Sequence, residues 1–387
     1  MSRTIGIVTS ARADFGLLRG LMAAVRGAAG LDLLVYATGM HQSPAHGHTI
    51  DEVLAAGFGP VLVEVAALPA DDGAAAVGDA IGRAVCGFSA AFAARRPDLL
   101  VVLGDRFDAL PAALAALPFT LPVAHLCGGD VTEGAMDDSI RHALSKLSHL
   151  HFPQLESHAE RLRRMGEEAW RITVVGQPGL DEVVAFRPRP RPEVLGGLGL
   201  DPARPVTVLT YHPETLAPGD GADAVAALLR AAAGMDSQMV FTAPNADPGN
   251  APIRAAIEAF AAGRPGCVYR QSLGRTLYLE MLNHADAMVG NSSSGLIEAA
   301  SFRLPVVNIG ERQRGRLAPA NVITCADDAD AIAAAWRRAL DPGFRAGLAG
   351  LVNPYGDGRS VEKVLAVLAT VPLDRRLIVK RFAGADP

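Results

Sequence analysis

Cysteine is scarce: Cys86, Cys127, Cys267 and Cys325 are the only four in 387 residues, and no two form a CxxC pair. That excludes a zinc knuckle and leaves no disulfide framework to read, so a reducing, cytoplasmic location is expected. Aromatic residues make up 5% of the chain, with two tryptophans. The cores must therefore be filled by aliphatic side chains and alanine. No apolar run reaches about 18 residues without glycine, proline or charge, so no membrane span is expected. The N-terminus runs directly into IGIVTS, without the pattern of a secretory leader. A basic excess is also missing. Lys and Arg total 36 against 41 Asp and Glu, a net charge of -5, so a nucleic-acid partner is not favoured. The dinucleotide fingerprint GxGxxG and the phosphate loop GxxxxGK[ST] are both absent.

What the chain has is length and rhythm. Half of it is hydrophobic, and 387 residues suffice for two domains. Apolar runs alternate with amphipathic stretches from residue 4 to about 175, the βαβ pattern of a doubly wound parallel sheet. Within it, residues 11–16 read as a polar loop before a helix at 17–27, and 172–175 read as extended. The segment RPRPRPEVLGGLGLDPARP, residues 187–205, reads as a linker, because alternating proline fits neither a helix interior nor a central strand. The rhythm then restarts at 206, with five strands expected up to 309. Residues 73–94 read as a long alanine-rich helix, either a subunit interface or an internal packing element.

The first half carries its chemistry at two strand ends. Apolar runs at 99–103 and 121–126 stop at polar, glycine-containing sequence, as buried parallel strands do at an active-site rim. At the first end stand Asp105, Arg106 and Asp108. At the second stand His125, Asp130, Glu133, Asp137, Asp138, Arg141 and His142. So many titratable groups at the ends of buried strands point to acid–base work. One of Asp137 and Asp138 is expected to cap the helix that follows. Arg12, in TSARADFG, either clamps a phosphate or pairs with Asp14. His41, His46 and His48 are expected in a solvated loop or lid. His149 and His151 alternate on a short strand, so only one is expected to face the core. No metal triad is present.

The second half offers binding groups. In VGNSSSGLIEAASF, residues 289–302, a strand meets a helix through Ser292, Ser293 and Ser294. These serines either hold a phosphate on helix N–H groups or only cap the helix. Glu298, one turn on, either accepts from ribose hydroxyls or is solvated. His212 in YHPET, Asn245 in PNADPGN and Arg312 in GERQRGR each follow a strand. Each reads either as a ligand contact or as a local structural group.

Ten segments carry a resemblance in order: TSARADFG, TGMHQSPAHGHT, VVLGDRFDA, HLCGGDVTEGAMDDSIRH, SKLSHLHF, VVGQPGLD, YHPET, PNADPG, VGNSSSGLIEA and VNIGERQRGR. The chain resembles the hydrolysing UDP-N-acetylglucosamine 2-epimerases of sialic acid biosynthesis, from about residue 4 to 316 and on to about 370. The resemblance implies an α/β, glycosyltransferase-B-like fold: two Rossmann-like, doubly wound domains facing a cleft. Residues 1–180 would carry the catalytic cluster, joined by a C-terminal helix at 366–387. Residues 181–365 would bind the nucleotide. By the same resemblance Asp105, His125, Asp137 and Asp138 are catalytic. His212, Asn245, Ser292, Ser293, Ser294, Glu298 and Arg312 hold UDP, and Arg12 and Arg106 contact the diphosphate.

Cys127 departs from the family, whose members carry glutamate or histidine there. A thiol with an ordinary pKa of about 8.5 is a weak proton-transfer group at neutral pH, and Glu133 is the stand-in. The implied reaction eliminates UDP to a glucal-like intermediate and then hydrates it, releasing a free manno-configured sugar and UDP. No cofactor or metal is required. The implied partners are a UDP-sugar and further copies of the chain, as a homodimer or homotetramer, with no nucleic acid and no membrane. The alternatives are the same chemistry on UDP- or GDP-N,N'-diacetylbacillosamine in a legionaminic acid pathway, a glycosyltransferase of the same fold, and an inactive nucleotide-sugar binder.

Overall fold

A computed structural model describes residues 2–43, 48–69, 73–132, 136–213, 222–244 and 250–384. The chain divides into two compact units, Met1–Glu182 with Tyr355–Pro387, and Val183–Pro354. The expected borders were 180/181 and 365/366, so the chain rejoins the first unit earlier than its sequence suggested.

The first unit is built from β1 (Arg3–Thr9), α1 (Arg12–Gly27), β2 (Leu31–Ala37), α2 (Ile50–Ala55), β3 (Leu62–Glu64), α3 (Ala74–Ala94) and β4 (Leu99–Leu103). Then come α4 (Leu110–Ala116), β5 (Val123–Leu126), α5 (Met136–Leu147), β6 (Leu150–Phe152) and α6 (Glu156–Arg164), and α7 (Leu180–Ala185) runs across the border between the units. Its six strands are parallel in the order β3-β2-β1-β4-β5-β6. Side chains alternate between two cores, as the period of a strand requires. Ile5, Ile7, Val35, Leu99 and Val101 pack with Phe15, Leu18 and Met22 of α1. Val8, Tyr36, Leu100 and Val102 pack on the other face with Phe88 and Phe92 of α3. Both faces are covered, which is why these strands read as continuous apolar runs.

The second unit holds α8 (Arg191–Gly197), β7 (Val206–Thr210), α9 (Ala222–Ala233), β8 (Gln238–Thr242), α10 (Asn250–Ala261), β9 (Cys267–Arg270) and α11 (Gly274–His284). It continues with β10 (Ala287–Gly290), α12 (Ser293–Ile297), β11 (Val306–Ile309), β12 (Val322–Cys325), α13 (Ala329–Leu340) and α14 (Pro342–Gly347). The order β12-β11-β10-β7-β8-β9 repeats the doubly wound plan. One face is filled by Leu209, Phe241, Val289, Val307 and Trp336. The chain then returns to the first unit as α15 (Ser360–Thr370) and α16 (Arg375–Ile378).

Several expectations are corrected. The supposed loop at 11–16 is the first turn of α1. Residues 172–175 form no ladder strand, only a bridge between Ile172 and His151. The proline-rich stretch contains α8, because its proline falls in the first helical turn, where no N–H is needed. Four-residue β12 was missed. The helix read at 361–368 is present as Ser360–Thr370, but no single helix spans 366–387. The chain breaks after Thr370 at a segment containing Pro372, and a four-residue helix follows at Arg375–Ile378. His149, just before β6, and His151 on it are both buried, because the sheet is covered on both faces and alternation exposes neither. The side chain of α3 is split: Ala80, Ala84, Phe88 and Phe92 are buried, while the ion-paired Asp79 and Arg83 are exposed. By length and composition alone α3 could cross a membrane. Its buried face belongs to the core of the first unit.

The returning segment is structural. Val364 and Leu368 join the α1 core. Arg171, fully buried, donates to the carbonyls of His149 (3.1 Å), Leu377 (2.8 Å), Arg376 (2.8 Å) and Val379 (3.2 Å). Leu368→Ala should therefore lower stability by about 3 kcal/mol, read as a fall in the urea midpoint. An unchanged midpoint would remove α15 from the core.

Candidate active site

In each unit the sheet changes winding direction between two adjacent strands, β1 and β4 in the first and β7 and β10 in the second. Such a switch point opens a crevice beyond the carboxyl ends of the strands.

At the tip of β1, Asp14 occupies the start of α1. Its carboxylate accepts from Ser10 N (2.7 Å), Ala11 N (2.9 Å), Ser10 Oγ (2.7 Å) and Thr9 Oγ1 (2.8 Å). An internal anion thus satisfies the N–H groups that a phosphate would otherwise use. Arg12 stands exposed in the first turn, and Asp14 is not its partner. His41 is buried rather than solvated. Its Nε2 lies 2.9 Å from Thr9 Oγ1 and its Nδ1 2.9 Å from Thr49 Oγ1. Burial lowers its pKa, with Asp14 opposing. His48 is exposed, and His46 lies outside the described residues.

Beyond β4 and β5 the carboxylates separate into two groups. Arg141, on α5 and only 3% exposed, contacts the Asp105 carboxylate and donates to Thr132 Oγ1 (2.8 Å) and Asp138 Oδ1 (3.4 Å). Thr132 N also donates to Asp138 Oδ1 (2.7 Å), and His142 Nε2 stands 3.5 Å from its other oxygen. Arg106 instead turns to buried Asp108, with Nη2 at 3.0 Å. Near this second pair lies Asp137, half-buried. Burial raises its pKa above the usual carboxylate value, Arg106 pulls it down and Asp108 pushes it up. Asp137 and Asp138 both lie within the first turn of α5, after Met136, so neither is the cap that was expected.

His125 is wholly buried on β5. Its Nε2 donates to the Gly104 carbonyl (2.7 Å), and its Nδ1 is 3.1 Å from Ser145 Oγ. Gly104 has φ +76°, the left-handed turn that sets Asp105 at the strand tip. Burial pushes the His125 pKa down to about 4, with the Gly104 bond opposing. A neutral ring with both nitrogens engaged ties the β4 turn to α5. Cys127 also has a left-handed backbone, φ +63°, and is buried 4.0 Å from Gln177 Oε1. Burial raises its thiol to about 12, so it stays protonated at neutral pH. Glu133 and Asn245 lie outside the described residues.

In the second unit, Gly290 lets β10 close on β7: at φ +143°, a Cβ there would stand 1.9 Å from the Thr210 carbonyl oxygen. Fully buried Asn291 follows. Its Oδ1 accepts from His212 N (2.7 Å) and its Nδ2 donates to the His212 carbonyl (2.8 Å). The Asn291 carbonyl in turn accepts from Arg312 Nη1 (3.1 Å) and Gln313 Nε2 (2.8 Å). Burial, reinforced by Arg312, pushes His212 down to about 4. Ser292 caps α12 through Ser294 N (3.4 Å), and Ser293 begins that helix. Ser294 Oγ donates to Glu298 Oε2 (2.5 Å) and accepts from Tyr278 Oη (2.7 Å), while Arg275 Nη1 pairs with Glu298 Oε1 (2.5 Å). The helix expected to reach Phe302 ends at Ile297 and continues as a 3-10 turn, Ala299–Phe302.

Sequence reading brought these strand tips forward but passed over Asn291, Gln313, Thr132 and Tyr278. The one available signal for Asn291 was its place directly after a strand-ending glycine. Among the described residues, no group of three or more His, Cys, Asp or Glu side chains is placed to hold a metal ion.

The family profile described as UDP-N-acetylglucosamine 2-epimerase matches residues 23–369. The chain belongs to this family. Membership gives the coarse activity, a UDP-sugar 2-epimerase. Among curated relatives, the UDP-N,N'-diacetylbacillosamine 2-epimerase (hydrolyzing) of Legionella pneumophila is 36% identical, over 98% of this chain and 99% of its own. The GDP/UDP-N,N'-diacetylbacillosamine 2-epimerase (hydrolyzing) of Campylobacter jejuni is 34% identical, over 83% and 84%. The solved UDP-GlcNAc 2-epimerase of Neisseria meningitidis, bound to UDP-GlcNAc, superposes with TM-score 0.77 at 16% identity, over 94% and 99%. That likeness establishes the glycosyltransferase-B-like fold of the family for this chain.

Within this family member the rings of His125 and His212 should stay neutral from pH 5 to 8 in NMR titrations. A ring stepping near 6.5 would contradict the assignment. Because the folded pKa of His125 lies below the ordinary 6.5, the unfolded chain binds its proton first on acidification. Stability should fall as pH drops from about 6.5 to 4, by on the order of 3 kcal/mol from His125.

Proposed function

We propose that this chain is a hydrolysing 2-epimerase of a UDP-linked 2-acetamido sugar, with UDP-N,N'-diacetylbacillosamine as its substrate. The observation that carries the substrate is the near full-length similarity to the Legionella pneumophila relative of that name. The observation that supports the chemistry is the separation of carboxylates in the first unit. A second reading, UDP-N-acetylglucosamine as substrate, is favoured by the description of the matching family. No observation favours the transferase or the inactive binder.

In the proposed reaction Asp105, oriented by Arg141, removes the proton from C2 of the sugar as the C1–O bond to UDP breaks. The electron pair of the C–H bond becomes the C1–C2 double bond of a glucal-like intermediate, and UDP leaves with the bonding pair of the C1–O bond. Water then adds its oxygen to C1 as a proton returns to C2 on the opposite face. The proton that the water gives up goes to the Asp137 carboxylate, and the proton that Asp105 took in the first step passes to solvent, so both groups end as they began. Asp137, raised in pKa, is the acid that delivers that proton; groups whose environments push their pKa values apart divide the two roles. Asp138 steadies Arg141, and His125 positions the Asp105 turn without exchanging protons. Glu133 is a further candidate for the second step. In the second unit His212, Asn245, Ser292, Ser293, Ser294, Glu298 and Arg312 are assigned to UDP. Arg12 and Arg106 are assigned to the diphosphate, where cations stabilise the leaving group.

Incubation in D2O with each UDP-sugar, followed by proton NMR, tests the reading. Free manno-configured sugar deuterated at C2, plus UDP, is expected from the diacetylbacillosamine nucleotide. Turnover of UDP-N-acetylglucosamine alone would move the chain to the second reading, and turnover of neither would end both. Asp105→Asn should lower kcat about a thousandfold. With Asp137 as the acid, kcat should fall as pH rises through its raised pKa, and Asp137→Asn should abolish that limb. A kcat that rises over the same interval would make Asp137 the base.

A further inference from the structure

Three groups assigned to the nucleotide converge on one residue that no assignment includes. Asn291 grips both backbone polar atoms of His212 with its carboxamide, at 2.7 and 2.8 Å. Its own carbonyl receives Arg312 and Gln313, at 3.1 and 2.8 Å. Ser292, the cap of α12, is the next residue in the chain. The side chain is fully buried, and its amide uses both its donor and its acceptor end on one partner. That pairing demands an amide: a carboxylate would present oxygen to the His212 carbonyl, and an apolar side chain would leave both His212 atoms unpaired.

Resting on the nucleotide-site reading of the second unit, we propose that Asn291 is its positioning residue. It staples the tip of β7 to the tip of β10 and fixes in one register His212, the serine turn and Arg312. It acts through these groups and is not assigned contact with the ligand. Asp286 offers a contrast. It too is a buried polar staple of the same unit, held by Arg191 (3.0 Å), Arg345 (2.8 Å) and Val206 N (2.9 Å). It stands before β10, at the opposite end of that strand from Asn291. A purely structural staple should cost stability and leave nucleotide affinity alone.

The test is calorimetric titration of UDP into the full-length protein, its Asn291→Asp variant and its Asp286→Asn variant, with thermal melts of each. Asn291→Asp should weaken UDP about 10- to 100-fold and raise KM by a similar factor, with kcat nearly unchanged. Asp286→Asn should lower the melting temperature and leave the UDP affinity within about twofold. Equal UDP affinity in a folded Asn291→Asp variant and the parent overturns the positioning role alone. Failure of the parent itself to bind UDP overturns the nucleotide-site reading and the inference with it. Should Asn291→Asp not fold, Gln313→Met removes one donor from the Asn291 carbonyl. It should weaken UDP about threefold or more, and unchanged affinity there overturns the proposal.

Discussion

A guanidinium buried to 3% exposure must be paired, because an unpaired buried charge is strongly destabilising. Arg141 meets that demand with Asp105, Asp138 and Thr132, which come from the β4 tip, the first turn of α5 and the segment between β5 and α5. One side chain therefore fixes the relative placement of three segments that the backbone alone would leave independent. His125 adds a neutral tie between the β4 turn and Ser145 of the same helix. With these groups committed, Asp137 stands apart in the environment of Arg106 and Asp108, and its desolvation is offset only in part. The pairing of the carboxylates follows from which of them share Arg141.

The second unit solves its placement problem without charge. Gly290 permits a backbone approach that no other residue allows, and Asn291 closes it with amide hydrogen bonds. Arg275 is paired with Glu298, so Arg312 beside the Asn291 carbonyl supplies the local positive charge, an arrangement suited to an anionic ligand. In the first unit, by contrast, the N-terminus of α1 already holds the Asp14 carboxylate. The two doubly wound units thus share a topology while closing their switch points differently, with a carboxylate on the α1 N–H groups in the first and the Asn291 amide in the second.

Much of this was legible in the sequence, and the reasons are specific. Strands buried on both faces announce themselves as apolar runs, so β4, β5, β7 and β11 and the polar groups at their tips were found. Residues 11–16 were read as a loop because their polar residues hide a helix start in which the cap comes from Asp14, a residue inside the first turn. β12 was lost because four half-exposed residues carry too little periodicity. His41 was expected in solvent, yet its two ring nitrogens meet threonines from β1 and the segment before α2, a long-range match that no local pattern encodes. The left-handed Cys127 is similar: its residue type hinted at altered chemistry, while its burial, invisible in sequence, makes the thiol inert.

The central claim is that burial keeps Asp137 protonated to higher pH than an ordinary aspartate while its neighbours serve Arg141. A carbon-13 carboxyl titration with assigned Asp137 resonances measures this directly. A midpoint clearly above the ordinary 3.8 is the result expected. A midpoint at or below that value would contradict the account and remove Asp137 as the acid.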